Sequence, residues 1–72
     1  MDHETRLKNT IDYALELRAL GENKITSSDI ASHFEISKEE ASDLLQAVME
    51  RKTFPDAKFK YESGTKYAVI EF

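Results

Sequence analysis

Only three residues, Glu35, Ile36 and Ser37, lie between two stretches that each carry the marks of an amphipathic helix. A connection this short makes the two helices cross when both apolar stripes face inward. The downstream stretch carries the stronger signal. Ser37 is placed to cap it, Glu40 to complete a capping box, and Ile36 with Ala41 to form a hydrophobic staple. Ala41, Leu44, Leu45, Val48 and Met49 then recur at helical spacing. Upstream, Thr26 is the cap, Asp29 closes a weaker box, and Ile25 with Ile30 makes the staple. Ile30, Ala31 and Phe34 form the inward side. The spacing predicts helices over 27–34 and 38–52.

The remaining segments are arranged around this pair. A first helix is predicted over 5–20, with Leu7, Ile11, Ala14 and Leu15 on one face. Tyr13, Leu17 and Leu20 widen that face to roughly 220° of the wheel, and Gly21 stops the helix. A helix in a small domain is readily buried on several sides. The same width also makes Tyr13, Leu17 and Leu20 a candidate dimer face. Lys24 to Thr26 reads as a short strand. Beyond Pro55 the apolar period changes from helical to alternating, which predicts a hairpin over 57–72. A two-residue turn at Ser63–Gly64 pairs Tyr61 with Lys66, Phe59 with Ala68 and Ala57 with Ile70. Phe59, Tyr61, Ala68 and Ile70 then share the buried face. Lys58, Lys60, Tyr67 and Val69 share the open one.

A chain of 72 residues is enough for one small domain, taken here as 1–72. It has no cysteine, which removes disulfides, thiolate zinc sites and cysteine nucleophiles and suits a reducing cytoplasm. No apolar run approaches the roughly 18 residues that span a bilayer, and the polar start "MDHETRLKN" is unlike a signal peptide. A cytoplasmic protein without a membrane partner is therefore expected. Net charge is -4, unevenly spread. Residues 1–50 hold five basic and eleven acidic side chains, and residues 51–72 hold five basic and three acidic ones.

The predicted order, helix, strand, helix, turn, helix and hairpin, resembles the winged helix-turn-helix fold. The segment "DIASHFEISKEEASDLL" is similar to that family's pattern at Asp29, Ile30, Ala31, Phe34, Ile36, Ser37, Ala41, Leu44 and Leu45. The fold implied is mainly α with a small antiparallel β-hairpin, in the order α-β-α-α-β-β. In this family the third helix typically enters the DNA major groove and the hairpin wing touches the backbone or minor groove. Carried over by position, Lys38, Glu39, Ser42, Asp43 and Gln46 would face the groove. Lys58, Lys60, Ser63, Thr65, Lys66 and Tyr67 would lie on the wing. Thr26, Ser27 and Ser28 would offer hydroxyls and amides to a phosphate. The turn position that often holds glycine holds Glu35, which implies a strained or reshaped backbone there.

The exposed letters of the third helix fit DNA poorly. Glu39, Asp43, Gln46 and Glu50 point most directly outward, and three of the four are carboxylates. Phosphate neutralisation supplies most of a DNA binder's affinity, so an acidic stripe opposes it. Glu39 and Glu40 are favoured in a first helical turn by the helix dipole, but Asp43 and Glu50 are not. The best cations for double-stranded DNA are Lys58, Lys60 and Lys66, with Tyr67 beside Lys60, although lysines also guard hairpin edges against aggregation.

Catalysis has no support. His3 and His33 belong to no metal-ligand spacing and no nucleophile–base pair, and no phosphate-cradling glycine loop is present. No enzyme, metal or cofactor is expected. Two functions remain. The first is a DNA-binding, transcription-regulator-type module using Thr26, Ser27, Ser28, Lys38, Ser42, Gln46, Lys58, Lys60, Lys66 and Tyr67. The second is a protein-interaction domain. It would present Glu39, Asp43 and Glu50 to a basic protein partner, or the wide first helix to a second copy as a homodimer.

Overall fold

A computed structural model describes residues 2–72; Met1 of the expected domain lies outside the described residues. The elements are α1 (His3–Ala19), β1 (Lys24–Thr26), α2 (Ser27–Phe34), α3 (Lys38–Glu50), β2 (Lys58–Tyr61) and β3 (Ala68–Glu71). This is the expected α-β-α-α-β-β order in a small α+β layout compatible with a winged-helix shape. The sheet is antiparallel with strand order β1-β3-β2. The last strand in sequence is thus the central one, and it joins the hairpin to the short strand before α2.

Capping residues set the helix ends. Asp2 accepts from the Thr5 amide at 2.8 Å, which starts α1 two residues before the expected position 5. Gly21, with φ 93°, ends it in a Schellman pattern, Glu22 N–H to Leu17 O and Gly21 N–H to Arg18 O. Both halves of the Thr26/Asp29 capping box are formed. For α3 the Ser37 hydroxyl accepts from the Glu40 amide, but the Glu40 carboxylate reaches Arg6 at 3.2 Å. The expected box is therefore half built, and its second half has become a brace between α1 and α3. A second brace joins Arg51 to Glu4 at 2.5 Å. Each pair is exposed and worth about 0–1 kcal/mol. The third helix ends at Glu50 rather than 52, because Lys52 takes a left-handed φ of 56°.

The core draws on every element except β2, which adds only half-buried Phe59: Leu7, Ala14, Ile25, Ile30, Ala41, Leu44, Leu45, Val48, Phe54, Ala68 and Ile70. The α3 stripe is buried as its spacing predicts, apart from half-buried Met49. One expectation for α1 needs correction, and one buried residue was missed. Leu15, placed on the core face, is 48 % exposed, while Thr10 is fully buried and donates its hydroxyl to Arg6 O at 2.8 Å. The buried line runs through residues 7, 10, 14 and 17, and Leu15 lies about 100° from Ala14. Hydrophobic spacing alone cannot reveal a threonine that buries its hydroxyl by bonding back to its own helix.

The hairpin register also differs. Tyr61 pairs with Ala68 and Phe59 with Ile70, two residues beyond the expected pairing. Gly64, at φ 71°, sits in a turn closed by Thr65 N–H to Glu62 O at 3.0 Å. The Thr65 hydroxyl donates to the same carbonyl and accepts from the Tyr67 amide. Glu62 N–H to Tyr67 O then closes a longer loop. A slip of two preserves the alternation of faces, so Phe59, Ala68 and Ile70 still face the core. At the open end of the ribbon Tyr61 remains 60 % exposed. Val69, expected on the open face, is only 8 % exposed because it lies between two flanking strands.

Glu35 adopts φ 55° and ψ 47° at the end of α2. Left-handed backbone costs a residue with a Cβ about 1–2 kcal/mol, whereas glycine's extra unfolded freedom costs roughly 0.5–1 kcal/mol. Glu35→Gly is therefore expected to stabilise the protein by about 0.5–1 kcal/mol, seen as a raised thermal midpoint. Glu35→Ala should leave the midpoint near its starting value. A lower midpoint for the glycine variant would show that the turn is unstrained.

Candidate interaction faces

Two polar faces and one buried hydroxyl cluster hold the sequence-predicted site residues. The cluster lies where β1 becomes α2. The next rung after Thr26–Val69 would pair residues 27 and 68, but the chain has already turned into a helix there. Ser27 Oγ donates to Ala68 O at 2.9 Å, Ser42 Oγ accepts from Ala68 N–H at 3.0 Å, and the two hydroxyls lie 2.7 Å apart. A serine hydroxyl has one proton. Ser27 gives its proton to Ala68 O, so Ser42 must donate to Ser27. The three bonds form a closed ring that satisfies both backbone groups of Ala68 from side chains on two helices. Ser27 is fully buried and Ser42 partly so. Among the phosphate and base candidates, these two side chains therefore serve the packing of α2, α3 and β3.

The first face is the open side of α3. Glu39, Asp43, Gln46 and Glu50 are all exposed. Lys66 from the hairpin loop reaches Glu39 at 3.0 Å, and Lys38 sits 5.6 Å from the Tyr67 ring centre. Tyr67 was expected beside Lys60; the register instead puts Val69 opposite Lys60. The hydrogen bond to Glu39, then its charge, holds the Lys66 ammonium above its usual pKa. Gln46 makes a long contact to Glu50 at 3.5 Å. Among the described residues, no ion pair involves Asp43 or Glu50. A shallow depression between the hairpin and α3 is lined by Glu39, Ser42, Asp43, Lys66 and Tyr67.

The second face, which the sequence does not fully assemble, is the outer side of the sheet. Cross-strand partners share a face, so one row reads Lys24–Glu71–Lys58 and the next Thr26–Val69–Lys60. Lys60 pairs with Glu71 at 2.6 Å, and Lys24 and Lys58 flank the same carboxylate. The Lys60 contact comes first among the causes that hold the Glu71 carboxyl below its usual range. Lys24, Lys58 and Lys60 outnumber the carboxylates here, Glu71 within the rows and Glu62 at the loop end, which makes this a weakly basic face on an acidic protein. Thr26 lies at its edge, with its hydroxyl already engaged by the Asp29 amide at 3.1 Å. Ser28 is half-buried on α2, and Ser63 and Thr65 are exposed in the hairpin loop.

The proposed dimer residues are largely occupied within the chain. Tyr13 stacks on His33 at 3.8 Å and meets Phe34 edge-on, and Leu17 packs against the core. Burial, then Asp29, Glu16 and Glu22, pushes the Tyr13 hydroxyl pKa up. Only Leu20, at 74 %, stands fully open. Among the described residues no helix is long and apolar enough to cross a membrane, and no group of three His, Cys, Asp or Glu is placed to hold a metal ion.

The chain matches no protein-family model, no curated protein and no solved structure.

The shifted carboxyls predict a pH response. Asp2 is lowered first by its bond from the Thr5 backbone, and Glu71 by Lys60. A depressed folded pKa gives stability that is present above the unfolded value and lost as pH falls through the folded one. Tyr13 and Lys66, both raised, contribute below their unfolded values and lose that contribution only in strong alkali. The thermal midpoint should be flat from about pH 6 to pH 9 and fall below about pH 4. Glu71→Gln should lower the plateau slightly and make the acid fall shallower. An unchanged acid slope would show that the Lys60 pair contributes nothing.

Proposed function

We propose that this chain is an interaction module of winged-helix type whose α3 face docks on a basic protein surface. The observation that carries this is the line of Glu39, Asp43 and Glu50 along the open side of α3, with Asp43 and Glu50 unpaired among the described residues. DNA presents one negative charge per about 1.7 Å of axis. Against that, α3 and the adjoining loop offer Lys38 and Lys66 opposed by three carboxylates. Charge reversal tests the reading. A lysine- and arginine-rich peptide of about ten residues should bind the wild type in low salt, and Asp43→Lys with Glu50→Lys should weaken it at least about tenfold. Equal binding of the double variant would sink it.

A second reading, a transcription-regulator-type DNA-binding module, is favoured by the clustering of Lys58 and Lys60 with Lys24. On this reading Lys58, Lys60, Lys66 and Tyr67 of the wing grip phosphate together with Thr26 and Ser28, while Lys38 and Gln46 reach base edges. The Lys66–Glu39 and Lys60–Glu71 pairs are exposed and break at a cost of about 0–1 kcal/mol each. Titration with mixed-sequence duplex DNA should then show affinity falling with salt, with a log–log slope near about -0.9 per phosphate contacted. Lys60→Glu with Lys66→Glu should abolish it. Undetectable binding at low salt would exclude this reading.

A further inference from the structure

We infer that the basic outer face of the sheet receives the acidic α3 face of a second copy of this chain, so that molecules associate head to tail. The inference rests on the α3-docking reading and names its partner surface. Two features support it. The first is charge: Lys24 and Lys58 are exposed and flank Glu71, whereas Asp43 and Glu50 are exposed on α3. None of the four belongs to an ion pair among the described residues.

The second feature is spacing. Lys24 and Lys58 sit on the two outer strands, two strand separations apart, or about 9–10 Å. Asp43 and Glu50 are seven residues apart on one side of α3, or about 10.5 Å. An α3 helix laid across the strands therefore meets both lysines with both carboxylates. Gln46, between them on the same side, then lies over Glu71, the middle of the same row, whose carboxylate Lys60 already pairs. The strand face and the α3 face both turn away from one shared core. The contact is therefore heterologous and leaves an unused face at each end, which gives open chains rather than a closed pair. One helix side on a three-stranded sheet is a small contact, so the dissociation constant is expected on the order of 0.1–1 mM.

Sedimentation and amide spectra over a concentration series up to about 1 mM in low salt test this. The average mass should rise with concentration and pass that of a dimer. Amides at residues 24, 58, 60 and 69 should shift together with those at 43, 46 and 50, and about 0.3 M salt should reverse the change. Asp43→Lys with Glu50→Lys, and separately Lys24→Glu with Lys58→Glu, should each stay monomeric. Mixed in equal amounts, the two variants should associate again, since each supplies the complement of the other. Lys24→Gln with Lys58→Gln covers the case in which added glutamates beside Glu71 disturb the sheet, and it too should stay monomeric.

A mass independent of concentration would overturn the proposal. So would association that survives both charge variants, or shifts confined to the apolar residues Leu15 and Leu20. If the basic peptide binds α3 while the protein stays monomeric, self-association is refuted and the α3 reading stands. If neither occurs, both fall. If duplex DNA shifts the sheet lysines where a second copy does not, the sheet is a phosphate surface and the proposal is wrong.

Discussion

Phe54→Ala is expected to remove most of the protein's stability, about 3–5 kcal/mol. A domain of this size has roughly 4–11 kcal/mol in all, at 0.05–0.15 kcal/mol per residue. Phe54 is 2 % exposed in the irregular segment between α3 and β2. Its ring meets Phe72 edge-on at 5.0 Å, and Arg18 of α1 lies over the other ring at 5.1 Å. Phe72 N–H in turn bonds Asn23 O at 2.9 Å. One side chain thus anchors the root of the hairpin to the end of α1 and the entry to β1. Its removal leaves a cavity bordered by three chain segments, none of which can close it without moving the sheet. Urea unfolding should show a loss of that size, with a thermal midpoint lower by roughly 12–40 °C. Phe54→Leu, which keeps most of the volume, should cost clearly less. A loss below about 1 kcal/mol for the alanine variant would place Phe54 outside the working core.

Phe54 also marks the limit of what the sequence shows. It stands next to Pro55, outside any helical or alternating run, so no period identifies it as buried. Elements with a regular period were legible. The caps at Thr26 and Ser37 and the α3 stripe follow from local chemistry, whereas the left-handed turn at Glu35 was implied only by the resemblance to the winged helix-turn-helix pattern. The faces of the hairpin were legible even though its register was not, because a slip of two leaves alternation intact. Thr65 lengthened the loop by bonding to Glu62 and Tyr67, and a serine–glycine pair gives no sign of that.

The interaction faces divide along the same line. The acidic side of α3 could be read from spacing, since one helix places its own residues. Of the basic sheet face only the hairpin's share, Lys58 and Lys60, could be read. Lys24 lies over thirty positions from Lys58 in sequence, and β3 pairing with both outer strands is what brings them together. The Lys66–Glu39 pair spans 27 positions and depends on where the hairpin loop leans. Ser27 and Ser42 were misplaced for a related reason. A serine at a helix start and one on a helix flank suit a phosphate or base contact equally well, until a strand end arrives that needs both.

That strand end is the basis of the other large effect. Ser42→Ala is expected to cost about 1–3 kcal/mol, because it leaves the Ala68 amide without its acceptor and Ser27 without its donor. Ser27→Ala should cost a similar amount by stranding Ala68 O in a fully buried position. The ring arrangement makes the two losses non-additive. Once either hydroxyl is gone the cycle is open, and the second removal takes away bonds that have already lost their cooperative support. The double variant should therefore lose less than the two singles together. Hydrogen exchange gives the local readout. The Ala68 amide should exchange much faster in Ser42→Ala than in Ser27→Ala, because only Ser42 accepts from it. Equal exchange in both would mean that another group accepts from that amide and that the ring does not hold the sheet against α3. If the ring does hold it, either single loss should also weaken head-to-tail association without touching a surface charge. Ser27 and Ser42 tie β3 to α2 and α3, and so hold the sheet face and the α3 face in their relative orientation.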